Sequence, residues 1–406
     1  MPDGREPPHL KLGEGVAGLD AAAWDACAGA GNPFLSHDFL AALEESGCVG
    51  RRTGWRPCPL LLEAADGALL GAVPLYLKSH SSGEYIFDHG WAEAYERAGG
   101  EYYPKLLAAV PFTPVPGPRL LIRPGPEAET HRRQLAEGLI AVARQLGVSS
   151  LHVNFAEPAD SAALAAAGMM QRVGTQYHWE NRGYDSFDAF LADLSSRKRK
   201  MIRKEREAAK REGLALRRLV GADIKPRHWQ QFYRFYIDTS ERKWGRPYLT
   251  RPFFEAIGER MADRILLVMA EDDGTPVAGA LNLFGSEALY GRNWGSDGAF
   301  KFLHFEACYY QAIDFAIENR LARVEAGAQG EHKIARGYLP VETRSFHFIA
   351  DPRFASAVAD FLAREGRAVE QERDALAEYS PFRCEGPEPA EAKAKGTAKA
   401  QRHGEE

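Results

Sequence analysis

From Phe302 to Leu321 apolar residues return at helical spacing. Phe302, Phe305, Tyr309, Ile313 and Ala316 form one stripe, and Cys308, Ala312 and Phe315 widen it. A stripe this broad predicts a helix buried against a sheet. A short apolar strand, Ala322 to Ala326, is expected next. The loop GAQGEHKIARGY follows it, punctuated by Gly327, Gly330 and Gly337. The pattern also alternates in two runs that read as hairpins. PLLLEAADGALLGAVPLYLK turns at Asp66-Gly67, and ILLVMAEDDGTPVAGALNLFG turns at Asp273-Gly274. Both dipeptides favour the tight two-residue turn.

Further elements follow from caps and breakers. Ser36 to Gly47 reads as a capped helix, Glu129 to Leu146 as a helix closed by Gly147, and Ala162 to Ala167 as a short one closed by Gly168. Strands are expected at Arg119 to Ile122, Ser150 to Phe155 and Gln171 to Trp179, and Tyr85 to Asp88 as the start of one ending in FDHGW. A short helix is expected from Tyr102 to Val110. In the second half, Trp229 to Tyr236 and Phe253 to Met261 read as helices. ALYGRNWGS and VETRSFHFIA read as strands, and Arg353 to Ala377 as a surface helix. The order in the second half echoes the first, so the chain reads as a duplication of about 180 residues per unit. The boundaries implied are 1–181, 182–384 and a polar tail, 385–406, too poor in large apolar residues to fold. The fold class expected is α/β, with an α+β-like mixed sheet and helices on both faces.

The chain has 406 residues, 45% hydrophobic and 26% charged, and carries a formal charge of −5. Its length calls for two domains. The charge gives no global attraction to nucleic acid or anionic membrane, so such a partner needs a local basic patch. Arg197 to Arg211 supplies one, with nine basic and two acidic residues. It reads either as a solvated helix, with Glu205 and Glu207 paired to neighbours, or as an anion site formed by Arg197, Lys198, Arg199, Lys200 and Arg203. Five scattered cysteines without a CxxC pair argue against a disulfide framework or a zinc site, and no metal is expected. No apolar run reaches the ~18 residues of a membrane span, and MPDGREPPHL is not a leader, so a cytoplasmic protein is expected.

Several passages resemble one family. They are FDHGWAEAYERAGGEYYPKLLAAVPFTPVPGPRLL, RKRKMIRKERE, TSERKWGRPYLTRPFF, GRNWGS, HFEACYYQAIDFAIE and EAGAQGEHKIARGY. Together they are similar to bacterial peptidoglycan biosynthesis/recognition proteins, also described as predicted N-acyltransferases, of the GNAT superfamily and related to the Fem peptidyltransferases. The resemblance spans Asn32 to Arg383. It implies two tandem GNAT-like acyltransferase domains and transfer of an acyl or aminoacyl group to an amine, with acyl-CoA or aminoacyl-tRNA as donor. A glycopeptide or small-molecule acceptor such as a cell-wall precursor is implied. A non-catalytic binder of such a precursor is the alternative. Two features depart from the relatives. SDGAFKF lacks the basic-plus-glycine loop by which CoA-dependent GNAT enzymes hold pyrophosphate. No pair of long heptad helices forms a tRNA arm.

Amide formation needs a base for the amine, donors for the oxyanion and a proton for the leaving group. Glu331 and His332 are the first candidates for the base, followed by Asp88 and His89. Tyr338 is a candidate acid. Lys105, Arg292, Trp294, Gln329, Lys333 and Arg336 are candidate binding residues. The loop that carries most of them follows the carboxyl end of a strand, where open α/β sheets place their ligands. Neither HExxH, GxSxG nor a P-loop is present.

Overall fold

The fold, taken from a computed structural model, covers residues 7–211, 213–242, 245–298, 300–328 and 330–383. Nine strands lie in the first half: β1 His9–Leu12, β2 Trp55–Pro57, β3 Leu60–Glu63, β4 Leu69–Val73, β5 Leu75–Lys78, β6 Lys105–Ala108, β7 Leu121–Ile122, β8 Ser150–Ala156 and β9 Met170–Glu180. Six lie in the second: β10 Ala215–Val220, β11 Ile265–Asp272, β12 Thr275–Phe284, β13 Ala288–Ser296, β14 Arg323–Glu325 and β15 Leu339–Ile349. The helices of the first half are α1 Ala21–Ala28, α2 His37–Glu45, α3 His89–Arg97, α4 Ala128–Leu146 and α5 Pro158–Ala166. Those that follow are α6 Phe187–Asp193, α7 Ser196–Arg211, α8 Pro226–Arg242 and α9 Arg251–Arg260. Next comes α10, built from Leu303–Phe305, the π-helical turn Glu306–Tyr310 and Gln311–Glu318, and last α11 Pro352–Ala377.

A small antiparallel sheet runs β1-β3-β4-β7. The main sheet has eleven strands in the order β10-β11-β12-β13-β14-β9-β15-β8-β6-β5-β2. Within it β13 pairs parallel to β14 and β6 parallel to β8, each pair bridged by a buried helix, α10 or α4. That unit occurs once per half. The halves then interlock. β9 follows β8 in sequence but pairs with β14, while β15 follows β14 but pairs with β8, and the two exchanged strands pair with each other from Leu339–His178 to His347–Met170. One sheet therefore runs through both halves.

The cores also cross between the halves. α1, α2, α8 and α9 share one apolar cluster on one face, where Phe39 of α2 meets Phe253 of α9 edge-on at 5.6 Å. On the other face α6, α7 and α10 enclose Trp179, Phe190 and Ile313. The hairpin of β11 and β12 turns on Asp273 and Gly274, both at positive φ, as the Asp-Gly signal requires. Two expected elements differ. The segment expected as a helix from Tyr102 is the strand β6, preceded by Pro104. It is a short apolar run buried on both faces, where periodicity does not separate strand from helix. FDHGW does not end a strand: it leads into α3, and Asp88 is drawn inward by Lys105 instead of pairing in a ladder.

Candidate active site

The parallel pair β13–β14 holds for three positions, Ala288–Arg323, Leu289–Val324 and Tyr290–Glu325, and then parts. β13 runs on to Ser296 with β12 as its ladder partner, so one edge from Gly291 onward faces an open fork. The register slips at this point: Leu281 faces Asn293 and Asn282 faces Gly291, leaving Arg292 as an extra bulged residue. Such bulges re-aim side chains beside active sites. By contrast Asn282 and Leu283 of β12 lie in ladders on both sides. The free edge belongs to β13.

A cleft of about 390 Å³ occupies the fork. Asn282, Arg292 and Trp294 line one wall, and His304, Cys308 and Tyr309 of α10 another. The π-helical turn adds one residue to the helical repeat. It sets Cys308 and Tyr309 toward the cleft while Glu306 takes Arg206 of α7 at 2.9 Å, as π-turns at functional sites commonly do. His332 and Lys333 close the cleft from the loop.

That loop is a tight turn over Glu331–Arg336, bracketed by Gly330 and Gly337 at φ 103° and 92°, which side chains rarely adopt. The three-residue period turns Lys333, Ile334 and Arg336 inward, and Glu331 outward. Glu331 is exposed and does not line the cleft. Gln329 lies outside the described residues. His332 is exposed at the rim of the cleft, with Nε2 3.1 Å from the Tyr309 hydroxyl, and partial desolvation, with Arg336 and Lys333 nearby, holds its pKa below the usual value, so it is neutral at pH 7. Lys333 donates to the carbonyls of Ala326 and Gly327, and burial lowers its pKa to about 8.

Two expected site residues serve structure. Arg336 makes a two-pronged pair with buried Glu205 of α7, at 2.7 and 3.2 Å, and lies 3.5 Å over the Phe305 ring. Tyr338 is fully buried and its hydroxyl donates to the Tyr309 carbonyl at 3.2 Å, so it does not reach the cleft. Arg292 is spent in part on the Phe112 carbonyl, and Thr113 Oγ1 is 3.5 Å away.

Asp88 and Lys105 lie elsewhere, in a sealed polar cluster of the first half. Lys105 Nζ donates to Ser81 Oγ and Glu84 Oε2, each at 2.8 Å, and to Asp88. Tyr102 donates to Asp88 at 2.7 Å, and the two Nδ1 atoms of His152 and His347 approach to 2.6 Å. His89, next to Asp88, is exposed and stacks on Phe87. The equivalent fork of the first half is filled. Beyond Ala108 the segment 111–118 folds into it, and fully buried Arg119 donates to the carbonyls of Asn154 and Val115 at 2.9 and 2.6 Å.

The residue that sequence reasoning missed is Glu325. It ends β14 at the floor of the fork, only 3% exposed. Oε1 accepts from Arg323 at 2.8 Å, and buried Oε2 has no hydrogen-bond partner among the described residues. Burial outweighs the pull of Arg323 and raises its pKa to about 7. The signal available was its place at the carboxyl end of a strand, ahead of the polar loop.

On the cationic helix, Arg197, Lys200 and Arg203 are exposed, while Lys198 and Arg199 are half-buried. Arg203 pairs with exposed Asp188 at 3.0 Å. Glu205 is not a surface partner but the buried anchor of Arg336.

The sequence matches the FemAB-like family, described as peptidoglycan biosynthesis/recognition, over residues 15–384. No curated protein matches the chain by sequence. The structure of FemX superposes with a TM-score of 0.52 at 12% identity, covering 84% of this chain and 97% of that one. A conserved protein of unknown function from Bacteroides thetaiotaomicron gives 0.50 at 11% identity, covering 84% and 99%. A tandem GNAT protein from the clavulanic acid biosynthesis pathway gives 0.44 at 13%, covering 85% and 99%. The mixed α/β fold expected from the sequence is thus observed, and it is shared with FemX. The chain belongs to the FemAB-like family of peptidoglycan biosynthesis/recognition proteins.

Proposed function

We propose that the protein is an N-acyltransferase whose catalytic centre is the β13–β14 fork, and that it moves an acyl or aminoacyl group from an activated ester or thioester to an amine. The observation that carries this reading is the fork itself: a free strand edge beside a buried carboxyl group whose Oε2 makes no hydrogen bond among the described residues, with His178 Nε2 3.8 Å away. An extended donor arm would pair with the edge of β13, whose backbone N–H groups would also stabilise the oxyanion.

The acceptor arrives as an ammonium group. Glu325 takes one proton, and the freed lone pair attacks the donor carbonyl carbon. A C–N bond forms, the C–O or C–S bond breaks, and the second amine proton passes through neutral His332 to the leaving oxygen or sulfur. Glu325 then returns its proton to solvent. Trp294 and Arg292 would shape the acyl pocket, and Lys333 holds the loop in place. The cations Arg197, Lys198, Arg199, Lys200 and Arg203, exposed or half-buried, are proposed to take the anionic part of the donor, either the phosphates of acyl-CoA or those of aminoacyl-tRNA. A peptidoglycan precursor is the proposed acceptor class, by family. Among the described residues no helix is long and apolar enough to cross a membrane, and no group of three His, Cys, Asp or Glu side chains is placed to hold a metal.

The test is a thermal-shift screen of acyl-CoA and aminoacyl-tRNA, where a donor at 100 times its Kd adds about 2.7 kcal/mol. A transfer assay with Glu325→Gln follows. Failure of both donors to bind, or full turnover in the variant, overturns the reading.

A further inference from the structure

Three arginines around the fork each hold a carboxylate. Arg323 pairs with Glu325 at 2.8 Å, Arg336 with Glu205 at 2.7 Å and Arg206 with Glu306 at 2.9 Å. Arg292, on the bulge of β13, makes no ion pair within 4.0 Å among the described residues, and the titratable groups that act on it are the phenols of Tyr85 and Tyr236. Its hydrogen bonds are few as well. Nη2 donates to the Phe112 carbonyl, Thr113 Oγ1 is 3.5 Å away, and Nε and Nη1 make no hydrogen bond among the described residues. Arg119, in the filled fork of the first half, shows the contrast: its Nε, Nη1 and Nη2 each donate to a carbonyl, of Asn154, Pro118 and Val115. A desolvated guanidinium without a counter-charge opposes folding, and it stays charged at pH 7. We propose that Arg292 is the seat for a carboxylate carried by one of the two substrates. The proposal rests on the transferase reading and adds a charged group to the substrate: either an acyl group that ends in a second carboxylate, or an acceptor that carries a free one.

The bulge makes the seat. Arg292 has no partner across the ladder, and its side chain reaches past Phe34, 5.7 Å from the ring centre, toward the first half. Asn293, next along β13, adds a neutral amide to the same wall. Arg292 borders two spaces. One is the cleft of about 390 Å³. The other is a recess among Phe34, Phe253 and Leu283 of about 10 Å³, room for one water. A carboxylate therefore reaches the guanidinium from the cleft, and the apolar recess behind it strengthens the attraction. The other basic groups of the cleft do not compete. Lys333 is tied to the carbonyls of Ala326 and Gly327, and His332 is neutral. One guanidinium with one neutral amide suits a single negative charge, as on a carboxylate, better than the double charge of a phosphate monoester.

The experiment uses the full chain and pairs of probes matched in shape but not in charge, read by isothermal titration. Glutarate against glutaramide tests the seat itself. Succinyl-CoA against butyryl-CoA tests for the carboxylate on the acyl group, and alanine against alaninamide for the carboxylate on the acceptor. Glutarate is expected to bind about tenfold tighter than glutaramide or more, the scale of one hydrogen bond to a charged group. One of the other two pairs should show the same preference, and which one does so names the source. Arg292→Gln should abolish the preferences while Tm holds or rises, because the charge it removes has no partner. Arg292→Lys should keep part of them, because the charge stays and the planar fork is lost. No preference for glutarate, a preference confined to glutarate, a preference that survives Arg292→Gln, or a fall in Tm in that variant overturns the proposal. If the preferences depend on Arg292 but no acyl group is transferred from either class of donor, the transferase reading fails and the carboxylate seat stands. If uncharged acyl groups pass to uncharged acceptors and no pair is discriminated, the transferase reading stands and the seat fails.

Discussion

At the scale of single residues, the site turns on which carboxyl is desolvated. Glu331 stands out in the sequence because it sits among glycines, a histidine and two cations, yet the turn directs it to solvent. Glu325 stands in an ordinary strand, ARVEA, and nothing in its neighbours announces that the sheet parts one residue later. Solvent exposure and a fork are tertiary facts, so the loop was legible and the carboxyl was not. The consequence is measurable. Glu325→Gln should lower turnover by roughly 10²–10⁴-fold, the contribution of a positioned base, whereas Glu331→Gln should leave it nearly unchanged. With Glu325 titrating at about 7, turnover of the native enzyme should rise with pH through 7. The same raised pKa means the protonated carboxyl is the stable folded form, so this group favours folding at low pH and loses that contribution as pH rises through 7. Glu325→Gln should therefore be more stable than the native protein at pH 8, by an order of 3 kcal/mol for a displacement from 4.5 to about 7. A variant that is inactive but also unstable at pH 8 would point to a structural role for Glu325.

At the scale of elements, caps and periodicity carried well. Ser36 caps α2 by accepting from the Phe39 N–H, Gly147 closes α4, and the stripe from Phe305 to Ala316 is the buried face of α10. What failed were short runs such as β6, too brief for either period to show. The cationic helix α7 was legible as an element but not in its partners. Its inner face mixes apolar Ile202 and Ala209 with charge: Glu205 holds Arg336 and accepts from Tyr310, and Arg206 bridges Glu306 and Asp314 at 2.9 and 2.7 Å. α7 thus fixes both the loop at Glu331–Arg336 and the π-turn of α10. Glu205→Gln leaves the Arg336 guanidinium buried without its counter-charge and should cost about 3–5 kcal/mol, read as a fall in Tm. The outer face should behave differently. Arg197→Ala with Lys198→Ala and Arg199→Ala should change stability by no more than about 1 kcal/mol, since none of the three is buried in the core. It should weaken binding of an anionic donor and flatten its salt dependence. An unchanged salt slope would make this face a solvated surface.

At the scale of the whole molecule, the duplication was legible as a repeated order of elements, but the exchange of β9 and β15 was not. Partner choice among strands of similar pattern is decided by chain path, and neither strand carries a mark of its neighbour. The exchange and the buried titratable groups together set how the molecule fails. His152 and His178, held near 3, and His347, also held low, release protons on folding, while Glu84 and Glu325, raised to about 7, take them up. Between pH 6.5 and 4.5 the opposed groups leave the unfolded chain about one proton richer, a slope of about 1.4 kcal/mol per pH unit. Below 4.5 the carboxyls are protonated in both states and no longer oppose the three histidines, so the slope steepens to about 4 kcal/mol per pH unit. Tm should fall gently and then sharply on acidification, with the break near pH 4.5; a uniform decline would mean that the sealed clusters do not set acid stability. The exchange makes a separate demand. A fragment of residues 1–181 retains β8 and β9 but removes β14 and β15, so β9 loses both ladder partners and β8 loses one. Open ladders in long buried strands do not stand alone. Neither this fragment nor one of residues 182–383 should melt cooperatively by itself, whereas the two expressed together should assemble and recover one transition near that of the intact chain. Cooperative melting of either fragment alone would show that the halves fold as independent domains and that the strand exchange is an ornament of the interface instead of its basis.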